Sequence, residues 1–121
     1  MMPIRAGIYT RIEMNEKGEV VNDPSKQEDS CRRHAQKQGY VITQVYRDDA
    51  VGVESERTEL RLLRSAIWKR NFDVVLATKP DRLYADANRL ARFVKEADLM
   101  SVRLEFVESS LDGEYWLRDT Y

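Results

Sequence analysis

Cysteine, histidine, proline and glycine are scarce in this chain of 121 residues, which has one Cys, one His, three Pro and five Gly. The single Cys31 excludes an internal disulfide and a multi-cysteine metal site. With only His34 near it a Cys/His zinc site is poorly supported, so both read as ordinary residues on a helix and neither metal nor other cofactor is expected. Long apolar runs are also missing. Stretches such as Asp73-Val74-Val75-Leu76-Ala77 fall far short of the ~18 residues of a membrane span, and the N-terminus has no apolar signal core. A cytoplasmic protein with no membrane partner is expected. Charge of one sign is lacking too: 20 Lys plus Arg against 21 Asp plus Glu leave −1, which excludes nucleic-acid binding through bulk charge alone. Any contact with phosphate must come from a local cluster.

With 42% hydrophobic and 34% charged residues, the chain has the balance of a soluble globular protein rather than a disordered one. At this length one core is expected, burying roughly two thirds of the unfolded surface. No low-complexity segment or internal repeat interrupts it.

Four short segments read as strands, namely 4–9, 41–46, 73–78 and 102–107, from their β-branched and aromatic content. Three helical patterns lie between them. Residues 25–38 open after Asp23-Pro24 and close before Gly39, a cap at each end. Residues 58–69 space Leu60, Leu63 and Ile67 helically, and 88–100 put Leu90, Phe93, Val94 and Ala97 on one stripe. These stripes are packing surfaces. The polar segment 14–23 reads as a mobile surface loop in preference to a small hairpin.

Strand and helix in strict alternation give an α/β fold, a three-layer, mostly parallel open sheet with helices on both faces. Ligands of such sheets sit beyond the carboxyl ends of the strands, here 9–13, 47–57, 78–86 and 108–113. Three of these loops carry arginine: Arg11, Arg57 and Arg82, the last beside Lys79. Converging on one edge, they would suit a phosphate-sized anion, since guanidinium forks match phosphate oxygens. The competing reading is structural, with Arg57 making contacts near its helix and Arg82 pairing with Asp81 or Asp86.

The string Arg5-Ala6-Gly7-Ile8-Tyr9-Thr10-Arg11-Ile12, then Gln27 with Cys31-Arg32 and Gln36-Lys37-Gln38-Gly39-Tyr40, then Tyr46-Arg47-Asp48-Asp49 before Gly52 and Arg57, then Phe72-Asp73-Val74-Val75-Leu76 with Lys79, Asp81, Arg82 and Leu83, resembles the N-terminal catalytic domain of the serine recombinases, the resolvase/invertase family. The resemblance runs from about Ile4 to Gly113, so one domain over 1–113 is expected, with 114–121 a tail or the start of a following helix. It implies site-specific DNA strand exchange through a phosphoserine link, with DNA as partner, recombinase subunits as homo- or hetero-oligomeric partners, and no metal or nucleotide cofactor. Arg11, Gln27, Arg57, Lys79, Asp81 and Arg82 fall on family active-site positions, the arginines facing phosphate and Asp81 orienting them. The family's long interface helix and DNA-reading domain are expected to be lacking, with Tyr115, Trp116, Leu117 and Tyr121 forming an aromatic tail that reads either as the first turns of that helix or as a segment folded back on the domain. DNA contact is therefore expected to be weak or to depend on those missing parts.

The departures bear on chemistry. Glu13 stands at the nucleophile position, Val51 where a small hydroxyl residue is usual, and Ala85 where a second arginine follows the Asp-Arg pair. A carboxylate about 4 Å from a phosphate charge is repelled by about 4 kcal/mol at an effective dielectric near 20, so Glu13 is a poor replacement for serine. Strand alternation turns Thr10 away from that face. Glu13 is expected instead to neutralise Arg11 across the strand face, in a site that has lost its chemistry. Two further readings stay open: a non-enzymatic module that associates with an active recombinase, and a receiver-like signalling domain.

Overall fold

The computed structural model describes residues 2–49 and 57–108. In chain order its elements are β1 (Arg5–Arg11), β2 (Glu13–Met14), β3 (Val20–Asn22), α1 (Pro24–Gln38), β4 (Val41–Asp48), α2 (Thr58–Trp68), β5 (Val74–Ala77), α3 (Pro80–Leu83), α4 (Ala87–Leu99) and β6 (Arg103–Phe106). Val51, Gly52 and the aromatic tail lie outside the described residues.

The main sheet runs β4-β1-β5-β6 with every pairing parallel. Parallel neighbours need crossovers, which α1, α2 and the α3–α4 segment supply. Alternation along the strands then divides the core. Ala6, Ile8, Val74 and Leu76 face Cys31 and Ala35 of α1, while Tyr9, Val75 and Ala77 face Leu63 and Ile67 of α2 and Phe93 of α4. The fold is the three-layer α/β sheet that the alternation of elements predicts.

Local chemistry sets the boundaries. Asp23 accepts a hydrogen bond from Ser25 N at 2.9 Å with Pro24 in the first turn, and Gly39, at φ 77°, closes α1 through its N–H to the carbonyls of Ala35 and Gln36. Cys31 is fully buried in this helix, and burial pushes its thiol up to about 12. His34 accepts or donates at 2.8 Å to Glu105 on β6. Among the described residues no helix is long and apolar enough to cross a membrane.

Two features differ from the expectations. Segment 14–23 belongs to a hairpin, with β2 antiparallel to β3, Glu13 opposite Asn22 and Met14 opposite Val20. Its tip is held by Asn15 Oδ1, which accepts from Lys17 N at 2.9 Å and Glu19 N at 3.0 Å. Val20 and Val21 are half exposed, so this hairpin shows no buried alternation for a sequence reading to detect. Strands β1 and β4 also run on to Arg11 and Asp48, paired with each other in register. Their polar ends break the apolar pattern because they build a site.

Gly7 serves close packing. A Cβ there would lie 3.0 Å from Cδ1 and Cε1 of the buried Phe72 ring. Gly7→Ala is therefore expected to lower stability by about 1–3 kcal/mol in urea denaturation, through displacement of that ring.

Candidate active site

Tyr9, Thr10 and Arg11 end the central strand, and alternation buries Tyr9 against α2. Its hydroxyl donates to Asp48 Oδ2 at 2.5 Å and accepts from Arg57 Nη2 at 2.7 Å. Asp48 also accepts from Glu59 N at 3.0 Å and Leu60 N at 3.1 Å. It thus satisfies the first free donors of α2, whose own cap residue, Arg57, makes no side-chain cap. Burial first, and then the bond to Asp48, raise the Tyr9 phenol above its usual value, so it stays neutral.

Arg57 ties this group to the next loop. Its Nη1 donates to the Leu83 carbonyl and its Nη2 to the Arg82 carbonyl, at 2.5 and 2.7 Å. These bonds take up carbonyls at the end of α3, where no further helical turn would satisfy them. The guanidinium lies 5.6 Å from the Tyr9 ring centre and 5.4 Å from that of Tyr84, a cation–π sandwich. Its buried Nε has no acceptor among the described residues.

Gln27 acts on Arg11 through the backbone. Fully buried on α1, it accepts from Arg11 N at 3.1 Å and donates to Arg11 O at 2.7 Å, completing both main-chain bonds as a neighbouring strand would. The Arg11 side chain is half-buried and forms no ion pair among the described residues. Burial, with the nearby charges of Arg57 and then Arg82, holds its guanidinium below the usual arginine value.

Arg82 is differently served. Its side chain is 6% exposed and donates to Glu13 Oε2 at 2.9 Å and Asp81 Oδ1 at 3.1 Å. Burial alone would lower it, but the hydrogen bonds to Asp81 and Glu13 outweigh that and raise it. The same bond from Arg82 holds the Glu13 carboxyl below the ordinary carboxylate range. Glu13 therefore neutralises Arg82 and not Arg11. The reason is topological: Ile12 N bonds to Asp48 O at 3.0 Å, and the chain then leaves the sheet, so Glu13 starts the hairpin and no longer follows the alternation of β1.

A cavity of about 590 Å³ lies beside Arg57, lined by Arg11, Leu60, Arg61, Tyr84, Ala85, Asp86 and Arg89 as well. Its one carboxylate, Asp86, is occupied in capping α4 through Asn88 N at 2.8 Å and Arg89 N at 3.2 Å. The wall is thus strongly cationic. Arg11 and Arg57 meet here, with Gln27 beneath Arg11; Glu13, Asp81 and Arg82 form a neighbouring ion triad; exposed Lys79 sits at the start of α3 without a side-chain cap bond. The sequence reading missed Tyr9 and Asp48 as the supports of Arg57, although both stand in the quoted motifs. It also missed Arg61 and Arg89, each four residues beyond a recognised position.

Opposite responses are expected from two neighbours on β1. Tyr9→Phe leaves Asp48 and Arg57 each short of a partner and should cost about 1–3 kcal/mol in urea denaturation. Arg11→Met relieves repulsion by Arg57 and should leave the melting temperature unchanged or higher, as for a residue kept for a ligand rather than for the fold. Stability contributed by the Glu13–Arg82 pair is complete above the ordinary carboxylate range and is lost as pH falls through the lowered Glu13 value. In thermal melts Glu13→Gln should flatten the acid limb.

The family model for the resolvase N-terminal domain matches residues 6–117. The N-terminal catalytic domain of TP901-1 integrase superposes with a TM-score of 0.81 at 24% identity, over 96% of this chain and 90% of that one. The C-terminal catalytic domain of ISC1926 TnpA, an IS607-like serine recombinase, gives 0.73 at 28% identity, over 96% and 77%. A resolvase family site-specific recombinase from Streptococcus pneumoniae gives 0.77 at 22% identity, over 92% and 76%. With the family match spanning nearly the whole chain and the same sheet and helices recurring in these structures, the chain belongs to the resolvase family and has the serine-recombinase catalytic-domain fold.

Proposed function

We propose that this domain holds a DNA phosphodiester at Arg11 and Arg57 without cleaving it. In the serine-recombinase reaction a serine hydroxyl attacks phosphorus, the Oγ–P bond forms, the bond to the 3′ oxygen breaks and a 3′-hydroxyl leaves. Here the corresponding position is Glu13, and the observation that carries the reading is its 2.9 Å ion pair with Arg82. A carboxylate so held is acceptor-only, is kept ionised by the cation, and repels an incoming phosphate. Asp81 and Glu13 together more than cancel the Arg82 charge, whereas the Arg11 and Arg57 charges face a cavity with a single, already engaged acid. Position 85, an alanine, adds no cation for a developing transition-state charge.

Recombination is then a role shared with other subunits of the same fold, in the cytoplasm where the DNA partner is met. The half-exposed Leu62 and Trp68 on α2 support such an association. A concentration-dependent sedimentation shift, alone or mixed with an active recombinase, is the expected sign of it.

Incubation with nicked suicide-substrate DNA, followed by denaturing electrophoresis, tests the chemical part. The natural sequence should give no covalent protein–DNA adduct, and the double variant Glu13→Ser with Ala85→Arg should give one. An adduct formed by the natural sequence would refute the reading.

A further inference from the structure

We infer that Arg61 and Arg89 form a second phosphate station in the same cavity, which takes the phosphodiester next to the one held by Arg11 and Arg57 on a DNA strand. The inference rests on the reading above for the first station and goes beyond it in assigning residues that no departure from the family pattern explains.

Three observations carry it. First, Arg61 follows Arg57 by four residues along α2, and Arg89 follows Ala85 by four residues into α4, and all four line one cavity. Along α2, the four residues from its cap Arg57 to Arg61 advance about 6 Å, comparable with the step between successive phosphates of a strand. Arg61, on α2, and Arg89, in the first turn of α4, thus reach the same cavity from two different helices. Second, the cavity, at about 590 Å³, is far larger than one phosphate group needs, given about 30 Å³ for a water molecule, and it falls within the range of small-ligand sites. The small Ala85 side chain leaves that space open where an arginine would occupy it. Third, charge is segregated along the chain. Residues 57–98 carry ten Lys and Arg against six Asp and Glu, although the whole protein is at −1. The cationic wall extends past the cavity to a second depression lined by Arg64, Arg89 and Arg92, where the one acid, Glu96, is paired with Arg64 at 2.6 Å. Among the described residues, the side chains of Arg89 and Arg92 form no ion pair.

The partner is DNA rather than an acidic protein because four guanidinium groups line one cavity, and their planar forks match phosphate oxygens. On this view Arg89 supplies from the helix the charge that position 85 lacks. The site is built for holding a strand in extension, which suits a domain that binds and does not cut.

Fluorescence anisotropy of a labelled DNA duplex, titrated against salt with the 121-residue chain, tests this. Each neutralised phosphate contributes about 0.9 to the slope of log affinity against log salt. Arg89→Ala and Arg61→Ala should each make the slope shallower by about 0.9, and Arg89→Lys should restore most of it. Arg33→Ala, on α1 across the sheet, should leave it unchanged. Circular dichroism on each variant separates lost binding from lost fold. Slopes unchanged in Arg61→Ala and Arg89→Ala but shallower in Arg11→Met overturn the second station and leave the first. A slope unchanged in Arg11→Met overturns the first station instead. Stabilisation by pyrophosphate that depends on Arg89, with DNA binding unaltered, assigns the cavity to a free polyphosphate and overturns the inference.

Discussion

One guanidinium organises this end of the molecule. Arg57 joins the central strand through the Tyr9 hydroxyl, joins α3 through the carbonyls of Arg82 and Leu83, and lies between two tyrosine rings. Asp48 completes the arrangement by accepting from Tyr9 and from the first N–H groups of α2. Strand β1, strand β4, helix α2 and helix α3 are therefore held in one geometry by a chain of charge-assisted bonds in a poorly solvated place, where such bonds are strong and a missing partner is costly. A cation already satisfied by neutral carbonyls keeps its net charge. That is how a structural arginine also charges the wall of a cavity.

The arginines of the site consequently fall into two electrostatic kinds. Arg82 is flanked by Glu13 and Asp81, so the triad is net negative and self-satisfied. Arg11 and Arg57 repel each other, and burial first, then that repulsion, holds the Arg11 guanidinium below its usual value. Like charges gathered beside a cavity destabilise the fold slightly unless an anion joins them, an arrangement typical of sites kept for a ligand. The carboxylate at position 13 is what places Arg82 in the first kind. Glu13 thus withdraws a cation from the rim, while Arg11 and Arg57 still line the cavity.

Much of this was legible in the chain. Strands β5 and β6 and helices α1, α2 and α4 follow from apolar spacing and from the caps at Asp23 and Gly39, because their partners are generic core surface. The meeting of Arg11 and Arg57 follows from the rule that strand carboxyl ends share one rim. Less accessible were contacts that depend on where the chain leaves the sheet. Ile12 is the last residue bonded to β4, so the alternation that would have set Glu13 against Arg11 no longer applies, and a hairpin without a buried face swings it to Arg82. The partnership of Tyr9 with Asp48 joins residues 39 apart in sequence, and no local pattern encodes it. Arg61 and Arg89 stand in the chain only as a four-residue spacing from Arg57 and Ala85.

The central claim is that the cavity wall of Arg11 and Arg57 accepts a phosphodiester while Glu13 stays bound to Arg82. A crystal structure of the protein with a short DNA strand tests it most directly. The account predicts a phosphate oxygen within hydrogen-bond reach of both Arg11 and Arg57, with the Glu13–Arg82 pair unbroken. A phosphate seated on Arg82 with Glu13 turned away, or DNA bound on another face with the cavity holding only solvent, would contradict it.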